Sequence, residues 1–150
     1  MPDLIIPDLV DLDLEASDRH QATRSLAERL QAAARVTDLE GFLADVRARE
    51  AQMPTGIEGG IGIPHARSAH VTEPTLGFGR SAKGVDFGAE DGPAHLIFLI
   101  AAPEGGGAEH MNILASLARR LVHPAFREAL RQAPDQQTVV DLVNKEVLGQ

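Results

Sequence analysis

A chain of 150 residues with 14 Lys plus Arg against 22 Asp plus Glu carries a net charge of −8, which argues against nucleic acid as its ligand. Its length suits a single domain, residues 1–150, that buries roughly two-thirds of its unfolded surface and needs no disulfide or metal staple. With no cysteine in the sequence, thiolate nucleophiles, disulfide frameworks and Cys-based zinc sites are all excluded. The start, Met1-Pro2-Asp3-Leu4, lacks the basic and long apolar regions of a signal peptide, and no apolar run elsewhere is long enough to cross a bilayer. The expectation is a soluble, cytoplasmic protein with no membrane insertion, meeting a basic partner if any.

In chain order, Val10, Leu12 and Leu14 alternate with Asp11, Asp13 and Glu15, the period of a half-buried strand. Ser17 is placed to cap a helix whose apolar stripe is Ala22, Leu26, Leu30 and Ala33 or Ala34. Thr37-Asp38-Leu39-Glu40 has the form of a capping box and opens a second helix on Leu39, Phe42, Leu43 and Val46, with Arg49 and Glu50 in its last turn. Met53-Pro54-Thr55-Gly56 breaks it. In Gly59-Gly60-Ile61-Gly62-Ile63-Pro64-His65, the alternating isoleucines suggest a short strand that Pro64 ends, leaving His65 at the rim.

Beyond it, Leu76, Phe78 and Arg80 alternate with Gly77 and Gly79, a strand with room for close backbone approach. Val85-Asp86-Phe87 between glycines reads as another short one, and Glu90-Asp91-Gly92-Pro93 as a turn. Leu96 to Ala102 is continuously apolar, as expected of a central strand buried on both faces. A glycine loop, 103–107, leads to a helix striped by Met111, Leu114, Ala115, Ala118 and Leu121, with His110 in its first turn. Pro124 suits the first position of a helix carrying Phe126, Leu130 and Ala133, and Asp135 caps a last one with Val139, Leu142, Val143 and Val147. Strands mixed with helices, one strand apolar throughout, predict an α/β fold: a single mixed sheet flanked by helices on both faces.

Several chemistries fit these residues poorly. His65, His70, His95, His110 and His123 invite a zinc reading, yet no H-E-x-x-H or comparable pairing fixes ligand geometry, so no metal is expected. There is no G-x-S-x-G elbow for a serine nucleophile. The glycines at 59, 60 and 62 do not sit between a strand and a helix as a dinucleotide fingerprint requires, and Gly105 to Gly107 lack the lysine of a nucleotide loop.

Arg49, His65 and His110 together are different in kind. Phosphoryl transfer to an imidazole needs a nucleophilic ring nitrogen and donors for the equatorial oxygens, and little other chemistry. Arginine supplies a permanent charge in a planar fork suited to phosphate. A histidine at the positive end of a helix is favoured in its neutral form, still a donor through one nitrogen. Each residue alone reads as an ordinary surface position, and spacing does not show that the three meet.

Arg49-Glu50 followed by Thr55-Gly56, then Gly60-Ile61-Gly62-Ile63-Pro64-His65-Ala66-Arg67, and later Phe98 to Pro103 before Glu109-His110, resembles enzyme IIA of the fructose–mannitol family of the bacterial sugar phosphotransferase system. The resemblance runs from about the first strand to the last helix. It implies a mixed sheet flanked by helices, and a histidine phosphorylated by the phosphocarrier HPr that hands the group to a cysteine of enzyme IIB, without a cofactor. Carried over, His65 is the acceptor, through the ring nitrogen remote from the backbone, and Arg49 and His110 steady the phosphoryl group. Pro64-His65-Ala66-Arg67 followed by Ser68-Ala69-His70-Val71 is most similar to the fructose branch. The alternative within the resemblance is a nitrogen-type regulator whose phosphorylation state controls partner proteins.

Overall fold

The computed structural model describes residues 3–105, 115–117, 119–121 and 123–147. Its strands are β1 (Val10–Asp11), β2 (Gly56–Ile57), β3 (Ile61–Gly62), β4 (His65–Ser68), β5 (Thr75–Val85) and β6 (Ala94–Pro103). Its helices are α1 (Arg19–Ala32), α2 (Leu39–Gln52), α3 (Pro124–Gln132) and α4 (Gln136–Glu146), and 115–117 and 119–121 are helical as well. The sheet runs β1-β5-β6-β3-β2, with β4 also paired to β6. It is mixed: β1 lies parallel to β5, β3 and β4 parallel to β6, and β5–β6 and β2–β3 are antiparallel.

The continuous apolar run of β6 follows from its central place. Leu96, Phe98 and Ile100 join one core with Phe126 and Leu130 of α3 and Val139, Val140 and Val143 of α4. Ile97, Leu99 and Ala101 point the other way, into a second core with Leu26 and Leu30 of α1 and Phe42 and Val46 of α2. A strand covered on both faces cannot alternate apolar with polar, because successive side chains enter opposite cores. Neighbouring β5 splits its faces differently: Leu76 and Phe78 fill the first core, whereas a side chain at Gly79 would come within 2.6 Å of Leu14 and 3.4 Å of Leu26. Glycine there seats the α1 layer directly on the sheet. On the opposite face of β5, the next residue, Arg80, donates from Nη1 to the carbonyls of Leu130, Arg131 and Ala133 at 3.1, 3.0 and 2.9 Å, capping α3.

The sheet with helices on both faces is as the patterning predicts, and four local expectations are corrected. The first strand is only Val10–Asp11, because the chain turns at Leu12-Asp13: Val10 and Leu12 pack on one core and Leu14 on the other, so the three alternating residues do not share one face. Asp18, not Ser17, caps α1, accepting from Gln21 N at 2.8 Å, while Ser17 binds the Gln21 side chain. Asp38, not Thr37, caps α2 through Gly41 N, because Thr37 N and Oγ1 are both committed to the carbonyl of His70, at 2.8 and 3.2 Å. Val85 closes β5 rather than opening a separate strand, and Phe87, 1% exposed, is a plug in the second core.

Pro124 opens α3 and Asp135 caps α4, as expected, the latter accepting from Thr138 N at 2.8 Å. Of the stripe expected over 111–121, Leu121 is fully buried in the first core, but Ala115 is exposed and Leu117, not expected there, is buried instead; Met111, Leu114 and Ala118 lie outside the described residues. No described helix is long and apolar enough to cross a membrane.

Candidate active site

The proline before His65 interrupts a strand without ending it. β3 pairs Ile61 and Gly62 with Leu96 and Ile97, and β4 resumes the same parallel line by pairing His65 through Ser68 with Ile100 through Pro103. Pro64 has no N–H to give, yet its carbonyl accepts from Ile100 N at 3.0 Å, so the backbone stays locked to the central strand on both sides. His65 is therefore the first residue of β4, half-buried, and not the loose end of a terminated strand. Ala66 and Ser68 face α2: Ala66 joins the second core, and Ser68, 1% exposed, donates to Asp45 at 2.6 Å. By strand periodicity His65 and the exposed Arg67 share the opposite face, which sets a second permanent cation two residues from the imidazole.

The imidazole is oriented by its own backbone. His65 Nδ1 lies 2.9 Å from the carbonyl oxygen of Ile63, and because a carbonyl only accepts, Nδ1 carries the proton. In the neutral ring Nε2 is left with a lone pair, and no hydrogen bond among the described residues engages it.

Arg49 stands in the last turn of α2, half-buried, with Nη1 donating to the carbonyl of Met53 at 3.1 Å. The β2–β3 hairpin pairs Gly56 with Gly62 and Ile57 with Ile61, and Ile63 N continues it by donating to Thr55 O at 3.1 Å. That bond lies two residues short of both Met53 and His65, and no hydrogen bond among the described residues links Arg49 or Met53 to His65. Met53 is 64% exposed and Ile57 36%, the large apolar residues most open to solvent among those described. His110 lies outside the described residues.

The remaining histidines are scattered. His70 rests over the start of α2, 3.9 Å from Asp38; His95 binds Ser81 O at 2.9 Å near the far end of β6; His123 is the exposed residue before α3. Among the described residues no three potential metal ligands cluster. A cleft of about 500 Å³, lined by Leu12, Glu15, Gln21 and Lys83 among others, lies at the Ser81–Lys83 end of β5, whereas His65 is level with Leu76 at the other end.

Glu50 is the residue that sequence reasoning left without a role. It is only 7% exposed, and its carboxylate accepts from Thr55 N at 2.8 Å, Thr55 Oγ1 at 2.6 Å and Arg19 Nη1 at 3.2 Å. The available signal was a glutamate in the last turn of a helix, where the dipole disfavours a negative charge unless partners compensate. Behind this loop, Gly56 N donates to Phe87 O at 3.0 Å, and a side chain at Gly56 would meet that oxygen at 2.7 Å and Ala89 N at 2.8 Å. Gly56→Ala is accordingly expected to lower unfolding stability by roughly 1–3 kcal/mol, read from urea denaturation, since the obstruction is backbone that cannot rotate away.

Comparison with known proteins agrees with this geometry. Residues 3–146 match the family model for the phosphoenolpyruvate-dependent sugar phosphotransferase system, EIIA 2. A PTS system fructose-specific EIIA component of Haloferax volcanii is 40% identical over 137 residues, 91% of this chain and 89% of that one. A PTS system fructose-specific EIIABC component of Bacillus subtilis is 34% identical over 144 residues, 95% of this chain, which spans only 23% of that protein's length. Among solved structures, the nitrogen regulatory protein IIA-Ntr of Neisseria meningitidis superposes with a TM-score of 0.86 at 28% identity, covering 93% of this chain and 96% of the other. A family model that matches nearly the whole chain and a relative 40% identical over most of its length together make the chain a member of the EIIA 2 family of the phosphoenolpyruvate-dependent sugar phosphotransferase system.

Proposed function

We propose that residues 1–150 are one phosphoryl-carrier domain in which His65 Nε2 accepts a phosphoryl group from phosphorylated HPr and passes it to a cysteine of enzyme IIB, serving fructose uptake. The observation that carries this reading is the Nδ1 bond to Ile63 O at 2.9 Å, which holds the proton on one nitrogen and leaves the other nucleophilic. In the first step the Nε2 lone pair bonds to phosphorus as the bond from phosphorus to the donor breaks. The ring keeps its Nδ1 proton and becomes cationic, and the Ile63 carbonyl dipole stabilises that charge where it forms. In the second step a thiolate attacks phosphorus, the N–P bond breaks, and the pair returns to Nε2. No proton has to move on His65 in either direction.

Arg49, and His110 by the family carry-over, supply donors for the equatorial oxygens. The exposed Met53 and Ile57 would receive each partner in turn, in contacts small enough to exchange. The fructose assignment is supported by the names of the Haloferax and Bacillus relatives, and the latter joins IIA, IIB and IIC functions in one protein. On this reading the chain works in the cytoplasm.

The test is incubation with enzyme I, HPr and phosphoenolpyruvate. The expected result is one acid-labile, base-stable phosphoryl adduct that maps to His65, and its absence overturns the proposal. The likeness to a nitrogen regulatory protein favours a second reading, in which the phosphorylated chain regulates other proteins and transfers nothing to a sugar. Loss of the label upon addition of fructose-type IIB supports transport, and retention of it supports regulation.

A further inference from the structure

We infer that Glu50 is a positioning residue for His65, setting the tautomer and aim of the imidazole through Thr55 and Ile63. The inference rests on the acceptor role proposed for His65, but the contacts behind it are independent of that role. The Glu50 carboxylate clamps Thr55 twice, at N and at Oγ1, and is itself held by Arg19 Nη1 at 3.2 Å. The carbonyl of the clamped Thr55 then accepts from Ile63 N at 3.1 Å, and the carbonyl of Ile63 accepts from His65 Nδ1 at 2.9 Å. Each bond shares one residue with the next, Thr55 and then Ile63, so the chain of contacts runs from α1, through the end of α2, to the imidazole. Its neighbour in sequence, Arg49, fixes Met53 O on the other side of Pro54. Two consecutive residues of α2 therefore hold the two residues flanking that proline, and the second of them, Thr55, is the one that Ile63 N binds.

A carboxylate accepts only, and three donors converge here, two from Thr55 and one from a guanidinium. With those donors satisfied, the Thr55 carbonyl stays aligned on Ile63 N, and hydrogen bonds in series through a low-dielectric region polarise one another. The consequence at the reacting atom is discrete. If the Ile63 carbonyl swings away from Nδ1, a neutral imidazole distributes its proton over both nitrogens, and the form protonated at Nε2 has no lone pair to attack phosphorus. Misplacement of about 1 Å at a reacting centre costs on the order of 10²-fold in rate, so a support this close to the nucleophile matters.

The experiment reads the tautomer directly, from ¹⁵N signals of His65 in unphosphorylated protein at alkaline pH, alongside phosphoryl-transfer kinetics. Wild type is expected to show the Nδ1-protonated form. Glu50→Ala is expected to show averaged signals of both tautomers and a roughly 10–100-fold lower kcat with the KM for phospho-HPr unchanged. Glu50→Gln, which keeps an acceptor and a donor for the two Thr55 groups, should restore the single tautomer and most of the rate. A folded Glu50→Ala protein with wild-type His65 signals overturns the inference, as does a KM effect without a kcat effect. Where Glu50→Ala fails to fold, Glu50→Asp, which withdraws the carboxylate by one methylene and keeps the charge, carries the same test: mixed tautomers support the inference and an unmoved spectrum overturns it. The two proposals fail separately, because a tautomer shift in a protein that takes no phosphate from HPr leaves Glu50 in its positioning role and removes the acceptor role.

Discussion

Replacing His65 by alanine is expected to abolish phosphoryl acceptance from phospho-HPr to the detection limit while shifting the melting temperature by no more than a degree or two. The first half follows from the proposed chemistry, in which Nε2 of His65 is the atom that bonds to phosphorus. The second half follows from packing. His65 is half-buried, and the one hydrogen bond its ring makes among the described residues is to Ile63 O, two residues away. Substitutions at such positions usually stay within about 0.5 kcal/mol. Arg49→Ala should behave differently, retaining the acceptor and slowing transfer by roughly 10²–10³-fold, the usual cost of removing one preorganised donor. His70, which lies over the start of α2, is the control: His70→Ala should leave labelling unchanged. Radiolabel incorporated per mole of protein, with thermal melts by circular dichroism, checks all three, and full labelling of His65→Ala would refute the acceptor assignment.

Phe98→Ala should instead strike the fold, lowering stability by about 3–5 kcal/mol out of the 5–15 typical of a domain this size. Phe98 is fully buried in the middle of β6, and its ring packs against Phe78 on the adjacent strand with centroids 4.9 Å apart and planes tilted by 54°. Truncation loses the transferred apolar surface, the aromatic contact and the close packing of the first core, and the cavity it leaves cannot collapse without moving β5 or α4. The same strand carries Ile100 two residues on, whose N–H binds Pro64 O beside the histidine. Urea denaturation should show a lower midpoint with an unchanged slope, and transfer by the surviving folded fraction should slow as the histidine strand loosens. A midpoint within experimental error of wild type would refute the claim that this ring pair organises the core.

The candidate histidine was legible in the sequence because its signal is local. An apolar run broken by proline and followed at once by histidine puts a polar ring at a sheet rim whatever the rest of the chain does. The central strand was legible for a similar reason, since seven successive apolar residues have no solvent face to offer. The cap residues of α1 and α2 were displaced by one position, because Ser17-Asp18 and Thr37-Asp38 each present two adjacent capping side chains, and tertiary bonds decide which is free to cap. Thr37 was claimed by the carbonyl of His70, a residue 33 positions away.

Composition, periodicity and a handful of short signals therefore determined the element types, the two-faced burial of β6, the last two helix starts and the candidate histidine, all of which depend on residues within a few positions of one another. Only the tertiary structure decided that the strand resumes beyond Pro64, because β4 exists through pairing with Ile100 to Pro103, some 35 residues later. It alone decided which nitrogen of His65 is free, which depends on where the Ile63 carbonyl is turned. And it alone gave Glu50 its place, since a buried carboxylate is stable only where donors converge, and its donors come from the first turn of α1 and from the loop that follows its own helix.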